Sequence, residues 1–358
     1  MSPNGRLWWE PWELSSGEVL TTVENINPKG FGLSLHSNIA EVMATLPVDR
    51  WLKNTVEIAH DRHIPAMVEY WLGSPSEELE TFFHFPYPLV TLRGLKAIAN
   101  LPGVIGIKEY YGLNPTVEDP NLRMTALFFK NPAISESAAM QQLAKPYGNA
   151  AAGVSEMWRL TSEGMEIFPW DLSWYLRRFG TRPPIHDLTA ARLDGQMAHT
   201  PSWASTRKAI YMKTDNSPSD PWMLEDVQMR YELAAKRFGS ALEVGYKCKK
   251  MIPAALAIDY EKQLADIGGM CRRTLSSAYY LRETNLALDI RKADTLKRPV
   301  AVQLNEMKEL LKKDLENYNE EKALDAKNNP GWTEMEQAIA VLDKNPSLFI
   351  QTYFINKK

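Results

Sequence analysis

Only two cysteines, Cys248 and Cys271, occur in the 358 residues, and they lie apart in Lys- and Arg-rich stretches of helical spacing. Neither a disulfide framework nor a cysteine metal site can be built from them, so both read as free thiols of a reducing compartment. Charge of one sign is also scarce. With 41 basic and 44 acidic residues the formal net charge is −3, which offers no basic footprint for phosphates and argues against a nucleic-acid partner. Long apolar runs are missing, each being broken by charge well short of the roughly 20 residues that a membrane span needs. The amino terminus, MSPNGRLWWEPWEL, has no basic region followed by an apolar core, as a secretion signal would. Cytoplasmic is therefore the default location, provided that Met1 is the natural start. No GxGxxG or GxxxxGK(S/T) occurs, which leaves nucleotide binding unsupported, and no GxSxG elbow, which leaves serine-hydrolase chemistry unsupported. No cofactor is implied. His60 and His63 stand three apart, but no third ligand follows, so they read as exposed turn residues and no metal site is expected.

What is present falls into two patterns. Residues 1–130 alternate: strand-like Leu7–Leu14, helical Gly17–Ile26, strand Gly32–His36, amphipathic Val48–Ala59, strand Pro65–Gly73, helix Leu89–Asn100 and strand Gly103–Gly112. Strand and helix in turn are the βα signature of a parallel sheet. Residues 131–358 read as helices throughout, at Ser135–Leu143, Gly153–Ser162, Leu172–Phe179, Ala204–Met212, Glu225–Lys250, Leu256–Asp294, Val300–Ala323 and within Trp332–Phe354. Leu224, Val227, Tyr231, Ala234, Ala235 and Phe238 recur at three- and four-residue steps, which marks one buried stripe. Pro253 separates the two longest helices, and Gly268-Gly269 invites a kink in the second. The fold class expected is α/β plus all-α: a partial, half TIM-type βα barrel of about four parallel strands in 1–130, then a helical bundle domain in 131–358. Eight βα units close a barrel and about four are here. Self-association through the open barrel edge, or completion by a missing N-terminal half, is the arrangement this implies.

Reactive groups of a βα barrel sit at the C-terminal ends of its strands, and Glu10, Glu13, His36, Glu69 and Glu109 fall at or near such ends. Glycosidic hydrolysis needs two carboxyl groups, one to protonate the leaving oxygen and one to attack or to activate water. Glu69 and Glu109 are the expected pair, because VEYWLG and IKEYYG repeat one design, with Glu10 a third candidate. Pairing with Lys108 or Arg93 would instead make such a carboxylate a structural ion pair. Aromatic rings flank these acids and suit the C–H face of a sugar: Trp9 and Trp12, Tyr70 and Trp71, Tyr110 and Tyr111. Asn38 and His36 could bind hydroxyls, and the segment FPWDLSW could add Trp170, Asp171 and Trp174. Ten of the eleven tryptophans precede residue 223.

The succession WWEPWE, LSLHSN, VEYWLG, IKEYYG and FPWDLSW, followed by a long helical tail ending LFIQTYF, resembles the C-terminal part of a bacterial carbohydrate-active, glycoside hydrolase-like βα-barrel protein. The resemblance implies a glycosidase acting on an oligo- or polysaccharide, with Glu69 in the nucleophile's place on the seventh strand. Two rivals use the same rim: a non-catalytic carbohydrate-binding or scaffold protein, and a metal-assisted lyase or isomerase.

Overall fold

A computed structural model gives the chain's architecture and describes residues 5–11, 16–36, 50–70, 84–109, 119–169, 221–320 and 330–355. Four βα units open it: β1 (Leu7–Trp9) and α1 (Ser16–Asn25), β2 (Phe31–His36) and α2 (Arg50–Asp61), β3 (Ala66–Tyr70) and α3 (Pro88–Ala99), β4 (Val104–Glu109) and α4 (Pro120–Lys130). The strands form one parallel sheet in the order β1-β2-β3-β4. Sequential order with right-handed crossovers sends successive helices to the same side, so one face of the sheet is packed against them. Phe31, Leu33, Leu35, Ala66, Val68 and Tyr70 fill the packed face and are buried. Gly32, Ser34, Met67 and Glu69, one residue out of phase, take the other face.

Local chemistry sets the helix ends. In α3, Pro88 occupies the first turn, where its missing N–H costs nothing, and Leu89, Leu92, Leu95 and Ile98 make the buried stripe. Gly103, at φ +73°, turns the chain back into β4. Helix α4 falls in a stretch that carries no helical expectation from its spacing. It is nucleated by Asp119, whose carboxylate accepts the N–H groups of Asn121 and Leu122 at 2.8 Å each, with Pro120 next.

By backbone contacts the chain divides into two units, Met1–Glu166 with Arg237–Gly268, and Ile167–Lys236 with Gly269–Lys358. The division expected at residue 130 falls inside the first unit. There α5 (Glu136–Ala144) and α6 (Ala151–Ile167) are tied to α3: Ser162 Oγ accepts the N–H of Leu89 at 3.2 Å, and Arg93 pairs with Glu136 at 2.7 Å and with Glu166 at 2.5 Å. Phe238 of α7 (Pro221–Cys248) meets Phe85 edge-on in the same unit, 5.3 Å between centroids. Among its described residues the second unit is helical. Part of α8 (Ala257–Thr295) joins α9 (Ala301–Glu320), α10 (Pro330–Lys344) and α11 (Pro346–Ile350) around Ile290, Met307, Leu311, Met335 and Phe349. Helix α8 runs through Gly268-Gly269 without a break in its assignment. The expected stripe of α7 is buried from Val227 to Phe238. The helices expected at 172–179 and 204–212 lie outside the described residues. No helix among the described residues is long and apolar enough to cross a membrane.

Candidate functional site

The face of the sheet away from its helices carries an acid–lysine–acid clasp. Glu69 near the end of β3 stands in register with Lys108 of β4, so the two share a face, and the ammonium donates to Glu69 Oε1. Ser34 Oγ, from β2, donates to the same oxygen at 3.1 Å. Glu10, directly after β1, brings its Oε2 to within 3.1 Å of Lys108 Nζ. Three inter-strand spacings of about 4.8 Å separate the first strand from the fourth in a flat sheet, about 14 Å in all. Side chains standing upright on such a sheet would not meet. Glu10 stands just past the end of β1, where strand spacing no longer holds its backbone, and the long side chains of Glu10 and Lys108 meet from there.

Burial within the clasp is uneven. Glu69 is 1% exposed, whereas the side chains of Glu10 and Lys108 are 35% and 43% exposed. Burial pushes the Glu69 carboxyl above the usual carboxylate range, and the charge of Glu10 adds to this, although Lys108 and Ser34 pull the other way. Burial would lower Lys108, but its hydrogen bonds to Glu69 and Glu10 outweigh that and leave it raised. One cation thus serves two anions, only one of which faces solvent.

Replacing Lys108 with methionine tests this balance. With the ammonium gone, the folded-state pKa of Glu69 rises further, so the variant keeps its stability while that carboxyl is protonated and loses it as pH climbs through the raised value. Breaking a fully buried pair costs about 3–5 kcal/mol; here, with the lysine half in water, about 1–3 kcal/mol is expected near pH 8 and much less near pH 5. Urea unfolding at the two pH values measures it. An equal cost at both would mean that lost packing, not charge, is responsible.

Several sequence candidates are distributed differently. Tyr70 lies on the helix face, 2% exposed, its hydroxyl beneath α3 at 3.4 Å from the Val90 carbonyl, because it follows Glu69 by one residue in an alternating strand. Trp9 turns the same way and packs on Phe31 at 6.2 Å. The ring beside Glu10 on the clasp face is Trp8, which lies over Gly32 so closely that a Cβ there would come within 2.7 Å of it, with the Arg6 guanidinium 5.9 Å from its centroid. In backbone register Glu109 stands opposite Tyr70, and His36 opposite Glu69; the side chains of His36 and Glu109 lie outside the described set. So do Trp12, Glu13, Asn38, Trp71, Tyr110, Tyr111, Trp170, Asp171 and Trp174. His60 and His63 are exposed, as expected, although His60 lies in the last turn of α2 and only His63 in the turn that follows. Among the described residues no three His, Cys, Asp or Glu side chains gather where they could hold a metal ion. A separate cavity of about 650 Å³, lined by Leu89, Met140, Ala144, Ser155 and Arg159 among others, contains none of the candidates.

No protein-family model matches the chain, and no curated protein sequence does. A solved structure, that of a GH138 enzyme targeting pectin rhamnogalacturonan II, is similar, with a TM-score of 0.60 over 96% of this chain at 9% identity. The likeness is one of fold. The chain spans 46% of that protein's length.

Proposed function

We propose that the chain is a glycoside hydrolase or glycoside hydrolase-like protein acting on an oligo- or polysaccharide, with Glu10 and Glu69 as its described carboxyl pair and Glu109 as a further candidate. The observation that carries this is the convergence of two carboxyls, one just past the first strand and one near the end of the third strand of a parallel sheet, on one ammonium. Both lie within hydrogen-bonding reach of Lys108 Nζ, so their nearest oxygens are within about 6 Å of each other. Glu10 is the acid a glycan would touch. Buried Glu69, which holds a proton more readily, acts through Lys108 on the charge of Glu10 and takes the positioning role, with Trp8 as the neighbouring platform.

A second reading rests on the same lysine. An ammonium that already compensates both carboxylates suits a protein that binds carbohydrate by hydrogen bonds and leaves the glycosidic bond intact. Incubation with a panel of plant and bacterial polysaccharides, read both for new reducing ends and for binding by calorimetry, separates the two. New reducing ends that vanish in Glu10→Gln are the expected result. Binding without cleavage selects the second reading, and neither binding nor cleavage removes both.

A further inference from the structure

Helices α7 and α8 run antiparallel where they pack within the first unit: the Tyr260 hydroxyl donates to the Gly245 carbonyl at 2.8 Å, and a Cβ on Gly268 would lie 3.7 Å from Leu242. The corner that joins them passes through the short turns Lys249–Met251 and Ala254–Leu256 and is held from within by buried Cys248, Leu256 and Tyr260. Three large apolar side chains point outward instead: Tyr246 is 57% exposed, Met251 49% and Ile258 72%. Exposed Lys247, Lys249 and Lys250 stand among them, and exposed Lys145 begins a turn, Lys145–Ala150, that packs against Lys249–Met251. The neighbouring acids are Glu243, Asp259 and Glu261. Glu261 pairs with Lys249 at 3.1 Å and Asp259 with Lys262 at 3.7 Å, which leaves Lys145, Lys247 and Lys250 without an acidic partner among the described residues. The corner is thus basic on a chain whose formal net charge is −3.

We infer that this corner rests on the surface of an anionic lipid bilayer. Met251 and Ile258 reach below the headgroups, Tyr246 lies at their level, and Lys145, Lys247 and Lys250 meet the lipid phosphates. Charge selects an anionic occupant, and the exposed apolar tips select one with an apolar layer beneath its charge. A grooved protein surface is not matched by a groove here, since the outward three stand on the outside of a helix-to-helix turn and none of them lines the cavity beside α5 and α6. The contact is peripheral and requires no membrane-spanning helix. It stands apart from the carbohydrate reading, because vesicle binding reports on one and turnover on the other.

Flotation of the full chain with vesicles tests it, comparing phosphatidylcholine alone with an equal mixture of phosphatidylcholine and phosphatidylglycerol. The chain is expected to float with the mixed vesicles and to stay behind with the neutral ones. Each lysine near an anionic surface is worth about fivefold in affinity, so Lys247→Ala/Lys250→Ala should weaken binding by about 20-fold. Met251→Ser/Ile258→Ser should weaken it as well while leaving every charge in place. All four positions are exposed, and unchanged circular dichroism confirms that each variant is folded. No flotation with the mixed vesicles overturns the inference, as does equal flotation with neutral ones or binding indifferent to the lysine pair. Binding that ignores the Met251 and Ile258 changes, and is matched on soluble polyglutamate, also overturns it and makes the corner a contact for an acidic macromolecule.

Discussion

Exchange of Glu10 for glutamine is expected to lower glycan turnover by about 10²–10⁴-fold, the range attributed to a positioned acid or base, while the melting temperature hardly moves. Glutamine keeps the shape and one acceptor for Lys108 Nζ, now 3.1 Å from a carboxylate oxygen, and the site is one-third open, so little folding energy is at stake. Glu69→Gln should behave differently. It removes a buried carboxyl that burial holds above the usual carboxylate range, and leaves Glu10 as an acidic partner of Lys108. The expected signature is a smaller fall in the maximum rate. Equal, total loss in both variants would place Glu69 in contact with the sugar; full activity in Glu10→Gln would remove that residue from the chemistry.

A marked loss of stability is expected from Gly94→Ala in α3. A Cβ at this position would lie 2.0 Å from the Tyr70 hydroxyl oxygen and 2.6 Å from its Cζ. Tyr70 is 2% exposed and is held between sheet and helix, so its ring has nowhere to swing and the helix must lift. Overpacking of this kind costs about 1–3 kcal/mol or more, and alanine's better helix propensity returns at most about 1 kcal/mol. A net loss of about 2 kcal/mol should appear as a drop of several degrees in the unfolding midpoint. Tyr70→Phe in the same background should recover part of it, since the hydroxyl makes the closest approach. Undiminished stability in Gly94→Ala would mean that α3 stands further from β3.

Much of the first unit is legible in the sequence because its signals are local. The four strands stand within a few residues of where the sequence places them, since β-branched and aromatic runs bounded by glycine and proline repeat four times. Helix α4 is not legible in that way because its evidence is a cap, Asp119-Pro120, and not a periodic stripe. The site is legible only to the nearest residue, and in a strand one residue is a change of face. Glu69 belongs to the clasp face while Tyr70, its neighbour, belongs to the core; Trp8 shares that face while Trp9 does not. The sequence marks Lys108 as an alternative ion-pair partner for a strand-end carboxylate, and that is the partner found for Glu69. What no local pattern can announce is Glu10 on the same ammonium, because that meeting joins residues 98 apart in the chain.

That meeting also has a kinetic consequence. Ser34 and Lys108 lie 35 and 39 residues from Glu69, one βα unit in each direction, whereas Glu10 and Lys108 are 98 residues apart. The short loops can close as soon as neighbouring strands pair, but the long one gains nothing until the intervening strands are assembled. Loss of the Glu10–Lys108 link should then accelerate unfolding and leave the folding rate almost untouched, so this ion pair acts as a latch set after the fold is made.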